Sequence, residues 1–227
     1  MAAQKQTRGA CGFCGRDFTR TGMSRHLGSC EKRREAVEKA DQQPGTPGRF
    51  IRLQVRDADA GEYWLNLEMD GSATMKKLDQ YLRAIWLECC GHMSEFTAGG
   101  WGSQKVAMSR KAADVLRPGV ELVHTYDFGT ETVTLLSVQE VREGNPTTSK
   151  PIALLARNQQ PIYSCQECDA PASVLCLECA YEDEEPGTLC AAHAKGHPHD
   201  DYGEPMPLVN SPRVGQCGYT GPAEPPY

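Results

Sequence analysis

No stretch of this 227-residue sequence is long and apolar enough to cross a bilayer; its longest uncharged apolar runs fall well short. The opening MAAQKQTRGA lacks the apolar core of a secretory leader. A cytoplasmic protein with no membrane partner is therefore expected. A nucleophile elbow, a phosphate-binding glycine loop and a paired-carboxylate signature are also missing, so the motifs give no reason to expect an enzyme. Nor is the charge of one sign. Residues 1–40 carry nine Lys/Arg against four Asp/Glu, and residues 151–227 carry three against 11. A basic head and an acidic tail exclude a protein that coats nucleic acid along its whole length, and allow only a local basic contact.

What the sequence has in quantity is cysteine, 11 in all. Most fall in Cys-x2-Cys pairs near the two ends with histidines close behind, which is metal-ligand spacing and not a disulfide framework. Thiolates awaiting zinc would oxidise outside the cell, so a reducing cytosol fits.

Cys11, Cys14, His26 and Cys30 make Cys-x2-Cys-x11-His-x3-Cys. The first pair suits the knuckle of a short hairpin, and His26 and Cys30 lie one helical turn apart on the same face. Four such donors suit one tetrahedral Zn²⁺ with no open position. Phe18 and Met23 are placed to form the small core between hairpin and helix. The segment resembles ββα zinc fingers, with Cys as the last ligand and one residue fewer before the helix ligands. The resemblance puts Thr19, Gly22 and Arg25 at the base-facing positions. Gly22 has no side chain to read with, and only Arg25 could grip guanine. Arg16, Arg20, Lys32, Arg33 and Arg34 surround the unit and are candidates, with Arg25, for contact with DNA or RNA.

After the charged segment EKRREAVEKA, a Pro/Gly-rich linker over residues 41–48 divides a finger at 8–40 from a central domain at 49–158. Ile51, Leu53 and Val55 alternate, as do Tyr63, Leu65, Leu67 and Met69, predicting two strands across the turn RDADAG. From Thr74, a good N-cap, the set Met75, Leu78, Leu82, Ile85 and Cys89 predicts one face of an amphipathic helix, with Cys89 packed inward beside Cys90. A turn at Pro118-Gly119 and two strands around a bend at Phe128-Gly129 follow. The expectation is an α+β fold, a small mixed sheet covered by that helix. His92, His124 and Asp127 are the candidates for an enzymatic site. His124 shares the face of Tyr126 and Phe128, which suits a core histidine, and Asp127 suits a turn-capping role.

The pattern YWLNLEMDGSATMKKLDQYLRAIWLECCGHMSEF followed by LVHTYDFGT resembles the plasmid pRiA4b open-reading-frame-three-like family over about residues 48–142. The strand PIALLARN and the ending NSPR…CGYTG extend that likeness to the whole chain. It implies a prokaryotic or mobile-element α+β protein whose family lacks a settled function. Family members commonly continue the YDFG motif with an acid, a Trp and a His, where this chain has Thr130, Thr132 and Thr134.

Residues 159–227 form the third segment, with Cys165-x2-Cys168, Cys176-x2-Cys179, Cys190-x2-His193, and then His197 and His199. Eight candidate ligands suffice for two zinc ions, or for one ion with ligands to spare. The spacing is similar to B-box fingers. That likeness implies a cross-braced pair of sites, Cys165, Cys168, Cys190 and His193 on one ion and Cys176, Cys179, His197 and His199 on the other. One residue between His197 and His199 is tight for a shared ion, and Cys217 is the candidate to replace one of them. The segment is rich in proline and poor in apolar clusters, so zinc would supply what burial does not, at about 10–16 kcal/mol of apparent binding energy per ion. The acidic run EDEEPG reads as a solvated loop. The function expected is that of a non-enzymatic zinc-binding protein that meets a protein partner. The alternatives are a nucleic-acid accessory factor using the basic finger and, less favoured, an enzyme near His92 and Asp127.

Overall fold

The computed structural model describes residues 6–99, 104–183, 185–199 and 201–221. Glu184 of the acidic run lies outside them. The chain begins with a hairpin, β1 (Arg8–Ala10) and β2 (Asp17–Thr19), that runs directly into α1 (Arg20–Ser29) and α2 (Glu31–Asp41). Thr19 is the N-cap of α1, and its hydroxyl accepts from the Gly22 N–H. The central strands are β3 (Gly48–Asp57) and β4 (Trp64–Asp70), paired antiparallel with Ile51 opposite Met69 and Val55 opposite Leu65. Asp57 closes their turn by accepting from the N–H groups of Gly61 and Tyr63, both at 2.8 Å.

The helix after Thr74 is shorter than its apolar spacing predicts. α3 (Met75–Leu82) passes into a π-turn over Arg83–Leu87, closed by a 2.8 Å bond from the Glu88 N–H to the Arg83 carbonyl. The wider turn buries Ile85, Trp86 and Leu87 together, which a regular α-turn would spread around the helix. The backbone is extended by Glu88, so Cys89 lies beyond the helix. Two strands that the periodicity does not mark follow, β5 (Ser94–Ala98) and β6 (Gln104–Val106), then α4 (Ala112–Val115), β7 (Glu121–Tyr126), β8 (Thr132–Gly144) and β9 (Ile152–Arg157).

These strands form one seven-stranded sheet in the order β6-β5-β7-β8-β3-β4-β9, with every neighbouring pair antiparallel. The α+β class is as expected; the small mixed sheet is not, because hairpin-connected strands need no parallel crossover. Both sheet faces are covered. Ile51, Leu53, Val55, Leu65, Leu67 and Met69 point to one face, where α3 and the π-turn seal the main core. Trp64, Leu155 and Ala156 point to the other, where Met23 and Leu27 of α1 pack on them. β1 runs beside β9, with the Gly12 N–H donating to the Leu155 carbonyl at 2.8 Å and the Gln159 N–H to the Arg8 carbonyl at 2.7 Å. The apolar side of the hairpin–helix unit is thus supplied by the sheet as well as by Phe18 and Met23.

The tail carries β10 (Val174–Leu175), α5 (Leu177–Tyr181), β11 (Thr188–Leu189), α6 (Ala191–Ala194) and β12 (Met206–Pro207), with three short strands in the order β11-β10-β12. Its last part returns to the main core. Asn210 and Asn158 exchange amide bonds at 2.7 and 2.8 Å, and the Ser211 hydroxyl donates to the Trp86 carbonyl at 2.6 Å. No helix among the described residues is long and apolar enough to cross a membrane.

Candidate metal centres

The four-residue ligand group expected from spacing at the N-terminal end and the two implied by the B-box likeness in the tail all converge. In each, the four donor atoms lie within 4.8 Å of one another. A tetrahedral zinc with bonds of about 2.3 Å to sulfur and about 2.0–2.1 Å to nitrogen needs donor separations of about 3.5–3.8 Å.

In the first, Cys11 and Cys14 flank the knuckle after β1. The Gly15 N–H closes it on the Cys11 carbonyl at 2.8 Å, and Gly15 takes the left-handed φ of 72° that such a turn requires. His26 rises from α1, and Cys30 sits at the joint between the helices. The His26 ring stacks on Phe18 at 4.1 Å, which aims Nε2 at the Cys14 sulfur 3.2 Å away. The Arg16 backbone N–H lowers the Cys14 thiol, and burial lowers His26, so the protonation states a metal needs are favoured at both.

Cys165, Cys168, Cys190 and His193 form the second group, with His193 Nδ1 at 3.4 Å from Cys165 Sγ and 3.5 Å from Cys190 Sγ. Burial alone would raise Cys165, but the backbone N–H groups of Cys190 and Glu167 outweigh it and bring that thiol down to about 6. Cys176, Cys179, His197 and His199 form the third. The two histidines, one residue apart, share the point by using different ring atoms. His197 presents Nε2 and His199 presents Nδ1, each 3.2 Å from Cys179 Sγ, with the rings edge-on at 79°. No replacement ligand is needed there.

Cys217, considered as that replacement, is elsewhere. It lies against Cys90 and His92 of the main domain, at 3.4 and 3.3 Å. Cys89 packs partly against the main core as expected, but from outside any helix face and beside Cys90.

No family model and no curated protein matches the chain. Among solved structures it is similar to a protein of unknown function, MM3350 from Methanosarcina mazei Go1. Identity is 16%, the TM-score is 0.41, and the match covers 47% of this chain and 67% of that one. A likeness at that score carries no argument about activity.

Of the three residues offered as an enzymatic site, His92 and Asp127 come together and His124 stands apart. His124 is fully buried, with Nε2 2.9 Å from Asp79 Oδ1. Burial alone would raise Asp79, but the bonds from His124 and Ser94 outweigh it and hold it low. Asp127, at φ 64°, accepts from the Gly129 N–H at 3.0 Å as a turn residue does. Its other oxygen is gripped by Arg213, a fully buried arginine of the tail, and that guanidinium holds the carboxyl down at about 2. Arg213 also bonds Thr132 Oγ1 at 3.1 Å and lies over the Tyr126 ring at 5.1 Å, so the NSPR segment clasps the YDFG turn. His92 Nε2 stands 3.4 Å from Asp127, on the side of Cys90 and Cys217.

Of the basic residues expected to meet nucleic acid, Arg33 does not reach the surface. It is buried against the sheet, bonding Glu140 at 2.9 Å, Glu68 at 3.3 Å and the Leu27 carbonyl at 3.1 Å. Arg20 is half-buried beside Gly61. Arg34 is exposed near Glu31 and Glu38, and Lys32 pairs with Glu35 at 2.8 Å. Arg16, Arg25 and Lys32 line one open groove with Cys14 and His26. Thr19 spends its hydroxyl on the helix cap, and a side chain at Gly22 would press on that cap.

Proposed function

We propose that the protein is a non-enzymatic, zinc-organised interaction protein of the pRiA4b open-reading-frame-three-like kind. Zinc keeps the hairpin–helix unit and the tail in the shapes that a protein partner meets. The observation that carries this reading is the closure of the ligand groups: the Cys11, Cys165 and Cys176 groups each surround one point with four protein donors. A catalytic zinc keeps a position for water or substrate, and a structural one does not. The engagement of His124 by Asp79, and of Asp127 by Arg213 and the Gly129 N–H, supports the same reading.

One observation favours nucleic acid as a second reading. Arg16 and Arg25 flank the groove beside Cys14 and His26, and among the described residues neither is in an ion pair. Against it, α1 turns Met23 and Leu27 to the sheet and keeps one arginine at its reading positions, so base-specific contact has little to work with.

The test is a fluorescence-anisotropy titration of the zinc-loaded full chain with short duplex DNA and single-stranded RNA at graded salt. An Arg16→Glu/Arg25→Glu variant is run beside it. The leading reading expects no binding at low salt, and protease attack on both Cys-rich ends once zinc is chelated. Binding that falls steeply with salt and disappears in the variant would replace it with the nucleic-acid reading.

A further inference from the structure

We propose that Cys89, Cys90, His92 and Cys217 form a fourth zinc site, which clasps the end of the tail to the main domain. The chain has 11 cysteines and six histidines. The three groups above use eight cysteines and four histidines. The three cysteines left over, with one of the two remaining histidines, converge on a single point. The sixth histidine, His124, is engaged by Asp79 inside the core. No cysteine of the chain is left outside a four-donor group, although Cys217 is 127 residues from Cys90.

The geometry is that of ligands around an ion. Cys89 Sγ and Cys90 Sγ are 3.6 Å apart, Cys90 Sγ and Cys217 Sγ 3.4 Å, and His92 Nε2 lies 2.9 Å from Cys90 Sγ and 3.3 Å from Cys217 Sγ. Cys89–Cys90 falls within the separations of about 3.5–3.8 Å that zinc imposes, the other three contacts are shorter, and all four donors lie within 4.8 Å of one another, so an ion would seat between them with small outward shifts of the side chains. The backbone presents the donors through two left-handed turns. Gly91, at φ 80°, lets His92 fold back towards the vicinal cysteines, and its N–H is held by Glu88 at 2.7 Å. Cys217 itself adopts φ 48° before Gly218 at φ 66°. A non-glycine residue in that conformation is uncommon and is held by its surroundings. Here the surroundings are Arg213 in the YDFG turn, Gln216 accepting from Thr132 Oγ1 at 2.7 Å, and the Gln216 carbonyl accepting from the Tyr219 N–H at 2.9 Å.

Three thiolates and an imidazole are a soft set that suits Zn²⁺ and disfavours hard, oxygen-seeking cations. With four protein donors the ion is closed and structural. It ties the CCGH loop to the NSPRVGQCGYTG segment across the turn that Arg213 already grips. One feature separates it from the other sites. Each of those has two buried cysteines, whereas here Cys90 and Cys217 are exposed and Cys89 is half-exposed. A chelator therefore reaches this ion first, and its removal frees the tail end while the other three sites stay loaded. The proposal stands on residues separate from those groups and does not depend on them.

Native mass spectrometry of the reduced, zinc-loaded full chain tests it. Four zinc ions are expected, and three in each of Cys217→Ser and Cys90→Ser. An equal zinc count in the wild type and both variants would overturn the site. Should the variants fail to fold, the wild type alone decides by alkylation mapping. With zinc bound, Cys90 and Cys217 resist a thiol reagent despite their exposure, and on graded chelation they are the first cysteines modified. Prompt modification of Cys217 in the loaded protein, or a Cys90–Cys217 disulfide with three zincs bound, would contradict it.

Discussion

Replacing Arg33 by methionine tests how the basic head is joined to the sheet. The methionine keeps most of the apolar stem and removes the guanidinium, whose side chain is 8% exposed. Breaking a buried ion pair from one side costs about 3–5 kcal/mol when the remaining charge is left alone. Here it is not alone. Glu68 keeps Arg142 at 2.7 Å and Glu140 keeps Arg52 at 2.9 Å. The Leu27 carbonyl does lose its donor from Arg33. We expect a net loss of about 2–3 kcal/mol, below the full value because both carboxylates retain a partner. Denaturant unfolding of the zinc-loaded chain, followed by the fluorescence of Trp64 in that interface, reads it. The same network predicts a pH response. Burial alone would raise Glu68, but Arg142 first and then Arg33 outweigh it and hold its pKa below the ordinary 4.5. A depressed carboxylate stabilises the fold above its unfolded pKa and loses that contribution as pH falls through the folded value. The stability difference between wild type and Glu68→Gln should therefore be constant above about pH 4.5 and shrink below it. A change of less than about 0.5 kcal/mol in Arg33→Met, the range of an ordinary surface substitution, would refute the placement and return Arg33 to the exposed basic face.

Three further outcomes follow from the same geometry. Cys14→Ser should lose one zinc and, with it, the helicity of residues 20–29, seen as a drop in far-ultraviolet dichroism together with a red shift of Trp64. Gly9→Ala should cost about 1–3 kcal/mol or more in denaturant unfolding, because the added methyl would run into the Arg157 carbonyl oxygen. His197→Ala and His199→Ala should each remove the ion at Cys176 and Cys179 while leaving that at Cys165, since each ring supplies a different nitrogen to the same point. Zinc counting by mass spectrometry distinguishes this from loss of both tail ions.

Local spacing made the N-terminal ligand group legible and marked the tail's eight donors, because each set comes from a short run of chain; the B-box likeness implied how the eight divide. The alternation through Ile51–Val55 and Tyr63–Met69 was legible for the same reason, one face of a strand meeting one core. What spacing could not show was long-range. Arg33 reads as a surface cation beside Lys32 and Arg34, and only its acidic partners Glu68 and Glu140, on strands far along the chain, reveal it as buried. Cys89 continues the 3-4-3-4 spacing of α3, but the π-turn at Arg83–Leu87 breaks the register one turn before it. Cys217 has its neighbours 125 and 127 residues away. A signal for the missed group was present nonetheless. Once eight cysteines are assigned, three remain, and two of those are followed two residues later by an unassigned histidine in CCGH. The seven-stranded sheet was missed because β5 and β6 are short and carry mixed faces.

The central claim, that closed sulfur-rich metal sites hold both ends of this chain, is tested most directly by zinc-edge X-ray absorption of the purified protein. The account predicts four-coordinate zinc dominated by sulfur at about 2.3 Å, with nitrogen at about 2.0–2.1 Å and no bound water. Zinc bound mainly by oxygen or nitrogen, or with a water in its coordination sphere, would contradict it.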